Sequence, residues 1–273
     1  MAVSHCRTWL FVAGADEGAH AAAARSGADV IILELEDFTP PELRATARAL
    51  AKSAFSQWKR AGAKTAVRVN PLAGDGREDL RAVLPARPDF VLMSKVASAD
   101  HVRELEAASG AAFDLVPNIE TAAGLVRTLE IVTASRRVVA ALVASEDMVA
   151  DLGTARSRTG EELAYVRARF LVECRAAAVE AIDCPYTFSD VKGATADARH
   201  AKRLGYRMKS LVDPAHARAL NAVFSPSKKE IEHARRIVAA FERARAAGRD
   251  RAIVDGALIE VPIYAAAKRL LAE

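Results

Sequence analysis

The feature that most constrains this chain is a regular alternation. Eight short apolar runs are each followed by a longer stretch whose apolar residues recur every three or four positions. The runs span 9–13, 29–35, 65–69, 90–94, 113–119, 138–144, 181–186 and 208–212 and are rich in Val, Ile, Leu and Phe. Stretches such as 41–61, 100–108, 122–134, 161–180 and 194–204 carry the spacing of amphipathic crossover helices. Strands that are apolar throughout are buried on both faces, which is the signature of a parallel sheet covered by helices. Eight such units in roughly 215 residues fit a closed (β/α)₈ barrel of the TIM type better than an open doubly wound sheet. Residues 1–224 are therefore expected to form a barrel. Residues 225–273 read as a charged amphipathic helix, a linker around Gly248, a short apolar segment and a last helix. Such an appendage has too little core to stand alone, so a helical extension that packs on this barrel or, as a lid, on a neighbouring subunit is expected.

Composition narrows the partners. With 51% hydrophobic and 27% charged residues the chain can fill one large core, and disorder is excluded. No uncharged apolar stretch approaches the roughly 18 residues that span a bilayer, so no membrane role is expected. The run at 9–13 is too short, and too closely followed by Asp16 and Glu17, for a signal peptide, and a cytoplasmic location is expected. The 39 basic and 35 acidic residues are intermixed along helical segments, which describes a solvated surface and not a nucleic-acid stripe. The small positive excess would still help to collect a polyanionic small molecule. Three cysteines without CxxC spacing, Cys6, Cys174 and Cys184, indicate neither a disulfide framework nor a zinc site.

In such barrels chemistry sits where strands end and loops begin. The tips offer Glu34, Glu36 and Asp37 after the second run, Arg68 and Asn70 after the third, and Lys95 after the fourth. Glu120 follows the fifth, and Glu146 and Asp147 the sixth. Any one acid here is more often a helix N-cap or a loop ion pair than a catalyst. Several converging on one rim would repel one another unless a cation compensated, which implies a divalent metal. Oxygen donors without His or Cys favour Mg²⁺. Arg68 and Lys95 place positive charge where a substrate carboxylate or an enolate would form. Other chemistries lack their signatures: none of the six histidines forms a ligand pair, and no G-x-S-x-G, G-x-G-x-x-G or P-loop run exists. A lysine among carboxylates is held charged, which disfavours a Schiff base at Lys95.

Several of these residues fall in recognisable runs. Arg7-Thr8-Trp9-Leu10-Phe11-Val12, Glu34-Leu35-Glu36-Asp37, Val67-Arg68-Val69-Asn70, Ser94-Lys95-Val96, Ile119-Glu120-Thr121, Ser145-Glu146-Asp147 and Asp255-Gly256-Ala257-Leu258-Ile259-Glu260 occur in register. Together they resemble the citrate lyase β-subunit and HpcH/HpaI aldolase superfamily, in particular its malyl-CoA and citramalyl-CoA lyase branch. The resemblance implies a Mg²⁺-dependent lyase that makes or breaks a carbon–carbon bond between an acyl thioester and a keto acid. It implies Glu120 and Asp147 as metal ligands, with Glu36 and Asp37 behind them holding the ion's waters. It implies Arg68 at the thioester oxygen, assisted by Lys95, and Arg7 and Glu146 with Arg68 in substrate binding. Glu260 stands where that branch offers an Asp from the tail of a neighbouring copy, so a homotrimer or hexamer is implied. Two departures from the family pattern are Val12-Ala13-Gly14 at the first tip, which lacks the usual Pro and following basic residues, and Asp213-Pro214 in place of His-Pro. Other readings are an HpcH/HpaI-type pyruvate aldolase that needs no CoA, and a subunit of a lyase complex that serves a carrier protein.

Overall fold

The computed structural model describes residues 3–110 and 112–272. Its eight parallel strands are β1 Thr8–Ala13, β2 Val30–Glu34, β3 Lys64–Val69, β4 Phe90–Met93, β5 Asp114–Ile119, β6 Ala140–Val143, β7 Glu180–Asp183 and β8 Met208–Leu211. They follow one another in sequence order around a closed barrel, the TIM-type fold that the alternation predicts. The ring shuts where β1 pairs with β8, Thr8 against Lys209 and Leu10 against Leu211. Six of the strands are shorter than their apolar runs, while β1 and β3 begin one residue before theirs. The run at 181–186, for example, leaves the ladder after Asp183, because Cys184 to Tyr186 turn outward into the mouth loop.

Side-chain alternation sorts each strand between two cores. Trp9, Phe11, Ile32, Phe90, Leu92, Val116, Leu142, Ile182 and Met208 point inward and fill the barrel. Their neighbours, such as Leu10, Ile31, Leu33, Val67, Val91 and Val143, point outward and pack beneath the helices. Both faces being dry explains why the runs read as continuous apolar segments.

Helix starts are set by short polar side chains. Asp16 accepts from the Ala19 amide at 2.9 Å to begin Glu17–Ser26, and Asp190 accepts from Gly193 to begin Val191–Leu204. Asp213 caps the turn at Pro214–His216 through the Ala215 amide at 2.8 Å, so this departure from the family pattern has a local structural role. Gly14 is required for a different reason: a Cβ there would stand 2.6 Å from the Glu34 carbonyl, where the tips of β1 and β2 touch.

A buried ionic lattice binds β7 and β8 to their helices. Arg167, on helix Ala164–Ala176, grips Asp183 with Nε and Nη2 at 2.9 and 2.7 Å. Lys209 Nζ reaches both Asp183 and Asp197 at 2.6 Å, and Arg167 Nη1 closes the square on Asp197 at 2.8 Å. Two cations face two anions with almost no solvent exposure, the arrangement in which buried charge is tolerated.

The chain divides into two compact units, Met1–Phe224 and Ser225–Glu273. The second contains helix Lys228–Ala246, strands β9 Ala252–Val254 and β10 Ala257–Ile259, and helix Val261–Ala272. Ser227 and Glu230 form a reciprocal capping box at its start. The apolar segment at 252–261 folds back on itself as an antiparallel hairpin, turning at Asp255-Gly256 with both residues at positive φ. Ile237, Phe241, Val254, Ile259 and Ala267 form a core of its own, with Phe241 stacked on Tyr264 at 4.6 Å. No helix among the described residues is long and apolar enough to cross a membrane.

Candidate active site

The charged residues of the strand tips gather on one side of the barrel mouth. Glu34, at the end of β2, is fully buried and organises the loop that follows it. Its Oε1 accepts from the Glu36 amide and its Oε2 from the Phe38 amide, each at 2.7 Å. The same Oε1 accepts from Arg68 Nε at 2.9 Å. Arg68, rising from β3, thus has one edge fixed by Glu34. Its Nη1 donates to Glu120 at 3.2 Å, and its Nη2 lies 3.2 Å from Glu36 and 3.8 Å from Asp37. The guanidinium lies over the Phe11 ring at 4.9 Å. Burial disfavours its charge, but Glu34, Glu120 and Glu36 outweigh that and hold it cationic well above the ordinary range.

Glu120, at the tip of β5, has no exposed surface. It accepts from Arg68, from the Asn118 side-chain amide and from the Lys95 backbone amide, the last at 3.1 Å. That amide points at Glu120 because Lys95 adopts φ of +54°, an uncommon conformation for a non-glycine residue and a small store of strain at the mouth. The Lys95 ammonium meets Glu36 at 2.5 Å, which raises its pKa. Burial pushes Glu120 up to about 8; Arg68 opposes this, while Glu36, Asp147 and Asp37 add to it. Asp147 is also raised, by burial and by Asp37, against Lys95 and Arg68. These groups are close enough to feel one another, and five carboxylates against two cations leave the rim short of positive charge.

The mouth holds a cavity of about 540 Å³. Asp37, Arg68, Asn118 and Asp147 line it together with Glu146. Glu146 is paired instead with Arg156 at 3.2 Å and accepts from Thr187 at 2.6 Å, which joins the loops after β6 and β7. Two buried polar atoms at the cavity have no hydrogen-bond partner, Asn118 Oδ1 and Ser145 Oγ. Buried groups of this kind are ordinarily satisfied, so they point to a polar occupant.

No cluster of three or more His, Cys, Asp or Glu side chains spaced to hold a metal occurs among the described residues. Mg²⁺ does not require one, since it is commonly held by one or two carboxylates and keeps several waters. Glu120 and Asp147, both pushed up by burial and by neighbouring carboxylates, with the unpartnered oxygen of Asn118 at the same cavity, are a hard-oxygen donor set that fits this ion.

Of the site residues expected from sequence, Glu36, Asp37, Arg68, Lys95, Glu120, Glu146 and Asp147 come together at the mouth. Arg7 does not, and its expected place in substrate binding is corrected. It precedes β1 at the opposite end of the barrel, its amide donating to Asp29 at 2.7 Å and its carbonyl accepting from Lys209. The six residues of β1, about 20 Å of strand, separate it from the mouth. Glu260 lies in the C-terminal unit, exposed, directly after the hairpin. Its carbonyl accepts from the Tyr264 amide at 3.1 Å to open the last helix. Sequence reasoning gave no role to Asn118, Ser145 or Phe11. Asn118 had a signal, a lone amide inside an apolar strand at an inward position.

Comparison with known proteins agrees with this geometry. Residues 7–214 match the family model described as HpcH/HpaI aldolase/citrate lyase. The chain is 32% identical to the citrate lyase subunit beta of Escherichia coli strain K12, covering 97% of this chain and 92% of that protein. It is 34% identical to a (3S)-malyl-CoA thioesterase of Cereibacter sphaeroides strain ATCC 17029, covering 98% and 94%. The crystal structure of CitE from Mycobacterium tuberculosis in complex with magnesium, acetoacetate and coenzyme A superposes with a TM-score of 0.81 at 27% identity, covering 97% of both chains. With its barrel, its acidic rim and this breadth of similarity, the chain belongs to the HpcH/HpaI aldolase/citrate lyase family of lyases.

Proposed function

We propose that this protein is a Mg²⁺-dependent carbon–carbon lyase acting on a short 3-hydroxyacyl-CoA thioester that bears a second carboxylate. It cleaves that thioester to an acyl-CoA and a keto acid, or joins the two. The observation that carries the reading is the single guanidinium of Arg68, clamped by Glu34, Glu36 and Glu120 and presented to the cavity over Phe11. Magnesium and coenzyme A in the similar CitE structure support the cofactor and the thioester.

In the cleavage direction the hydroxyl proton is removed and the bond between C2 and C3 breaks. A carbonyl forms at C3, and the electron pair passes to the thioester oxygen as an enolate that is then protonated at C2. Arg68 is assigned to that oxygen; because its three-carboxylate clamp is built before substrate arrives, no reorganisation is needed as charge develops. Lys95 pairs with Glu36, opposing the rise that burial causes in its pKa, and adds positive charge from the next strand. Glu120 and Asp147 are assigned to hold Mg²⁺, with Glu36 and Asp37 behind them. When bound, the ion supplies a Lewis acid for the hydroxyl oxygen and a counter-charge for the substrate carboxylate. Glu146 is assigned to the substrate side of the mouth. Glu260 is assigned as the proton-transferring group that a neighbouring copy of the chain brings to the barrel, in a trimer or hexamer.

The test is turnover of 3-hydroxyacyl-CoA thioesters with the keto acid trapped as its hydrazone, at increasing Mg²⁺. Cleavage that depends on Mg²⁺ and is abolished in folded Glu120→Gln and Asp147→Asn variants supports the reading. Full activity in either variant refutes its ligand role, and release of free CoA with the hydroxy acid intact would instead make the protein a thioesterase. Similarity to a citrate lyase subunit favours a second reading, in which a carrier protein holds the acyl group. Activity only with the carrier thioester, and none with CoA, would establish it.

A further inference from the structure

The loop that carries Glu36 is gripped by a residue that does not line the cavity. Leu35, one position before Glu36, is fully buried, and its peptide is held on both edges. Its N–H donates to the Arg68 carbonyl at 3.1 Å, and its carbonyl accepts from Asn70 Nδ2 at 2.8 Å. Asn70, the buried residue that follows β3, has both hydrogens of that amide in use, because Nδ2 also donates to Asp79 Oδ2 at 2.8 Å. Its backbone N–H meets the same oxygen at 2.9 Å. One carboxylate oxygen therefore fixes the backbone and the side-chain plane of Asn70 together.

Asp79 has no exposed surface and belongs to helix Gly76–Val83. Its other oxygen accepts from Arg48 Nε at 2.8 Å. Arg48 lies on helix Arg44–Arg60, the helix into which the Glu36 loop runs, and its Nη1 also pairs with Glu78 at 2.7 Å. The loop is thus tied to Asp79 at both its ends, through Asn70 at Leu35 and through Arg48 beyond its exit.

Glu36 needs such a hold. It is a buried carboxylate with Asp37 beside it, and water would take it readily if the loop relaxed. Its Oε1 is fixed by Lys95, but its Oε2 is buried without a hydrogen-bond partner, so its own side-chain bonds constrain it on one oxygen only. We infer that Asn70, oriented by Asp79, is a positioning residue: it holds the Leu35 peptide so that Glu36 stays behind Glu120 and Asp147, and it acts on the Mg²⁺ site through Glu36. The inference rests on the place given to Glu36 in the preceding section.

The affinity of the purified protein for Mg²⁺ alone, measured by calorimetry in a double-mutant cycle, tests it without turnover. Asn70→Ala removes the donor to Leu35 and keeps the backbone bond to Asp79. It should weaken Mg²⁺ binding about tenfold, as loss of a partner behind metal ligands commonly does, and Glu36→Gln should do the same. In the Glu36→Gln background Asn70→Ala should change the affinity by less than about twofold, whereas independent sites would add. Its cost in denaturant unfolding should be alike in both backgrounds, which separates the fold from the site. Asn70→Ser enters the same cycle should the alanine variant not fold. Unchanged Mg²⁺ affinity on replacing Asn70, or an equal loss in both backgrounds, overturns the inference and leaves the lyase reading intact. The expected cycle in a protein that cleaves no thioester would sink the lyase reading alone, and failure of the unaltered protein to bind Mg²⁺ overturns both.

Discussion

Replacement of Arg68 by lysine keeps the charge and removes the geometry. The guanidinium meets Glu34 through Nε at 2.9 Å, Glu120 through Nη1 and Glu36 through Nη2, each of these at 3.2 Å. The three nitrogens point in three directions within one plane, and a single ammonium on a shorter reach can satisfy at most two of these partners. One buried carboxylate is left without its donor, and a hydrogen bond to a charged group contributes about 1.5–3 kcal/mol. Arg68→Lys should therefore cost roughly 2–3 kcal/mol, which for a unit of this size lowers Tm by about 4–12 °C. If Arg68 serves the thioester oxygen as proposed, loss of that preorganised donor should lower kcat by about 10²–10³-fold. Thermal unfolding and steady-state thioester cleavage on the same preparation measure both effects. A variant within about 1 °C of the parent and within about threefold in kcat would refute the clamp and the catalytic role together. A large loss of stability with normal kcat would confine Arg68 to structure.

Three further outcomes follow from the geometry. Lys209→Met leaves the Arg167, Asp183 and Asp197 lattice with one uncompensated buried negative charge and should destabilise the barrel by about 3–5 kcal/mol in denaturant unfolding; the double variant with Asp197→Asn should recover part of that loss, and no recovery would exclude coupling. Burial works to raise Asp197, but Lys209 and Arg167 draw it down to about 2, below its ordinary 3.8; its stabilising contribution, on the order of 2 kcal/mol, is therefore present above pH 4 and lost as pH falls toward 2. Asp197→Asn should show less stability loss than the parent between pH 4 and pH 2, and parallel curves would rule this out. Glu260→Gln should lower turnover while leaving the Mg²⁺ requirement unchanged if the tail supplies the proton-transferring group; unchanged kinetics would assign Glu260 to the surface of the C-terminal unit.

Much of this was legible in the sequence, for a physical reason. A parallel strand dry on both faces has to be apolar along its length, so eight such runs with helical spacers leave few folds open. Carboxylates at the ends of those runs could be assigned to the mouth because the barrel fixes which end is open. Two kinds of information were not legible. One is the face taken by a polar residue inside a strand: Asn118 and Arg68 turn inward to the site, while Asp183 and Lys209 turn outward into a structural lattice. A shift of one residue in register exchanges these fates. The other is the end of the strand a motif residue occupies, since Arg7 belongs to a run that continues into the site but itself lies at the closed end. The hairpin at residues 252–259 did leave a trace, Asp255-Gly256, which favours the positive φ values that such a turn needs.

The seam between β1 and β8 joins the first strand of the barrel to its last, Leu10 to Leu211. During synthesis β1 leaves the ribosome about 200 residues before its partner, and at 5–20 residues per second it waits roughly 10–40 s for it. Over that interval Thr8–Ala13, a segment whose first five residues are buried in the finished barrel, presents an open edge of backbone donors and acceptors. Truncation before Met208 would leave that edge permanently free, and such fragments are expected to aggregate, a liability that the completed ring removes.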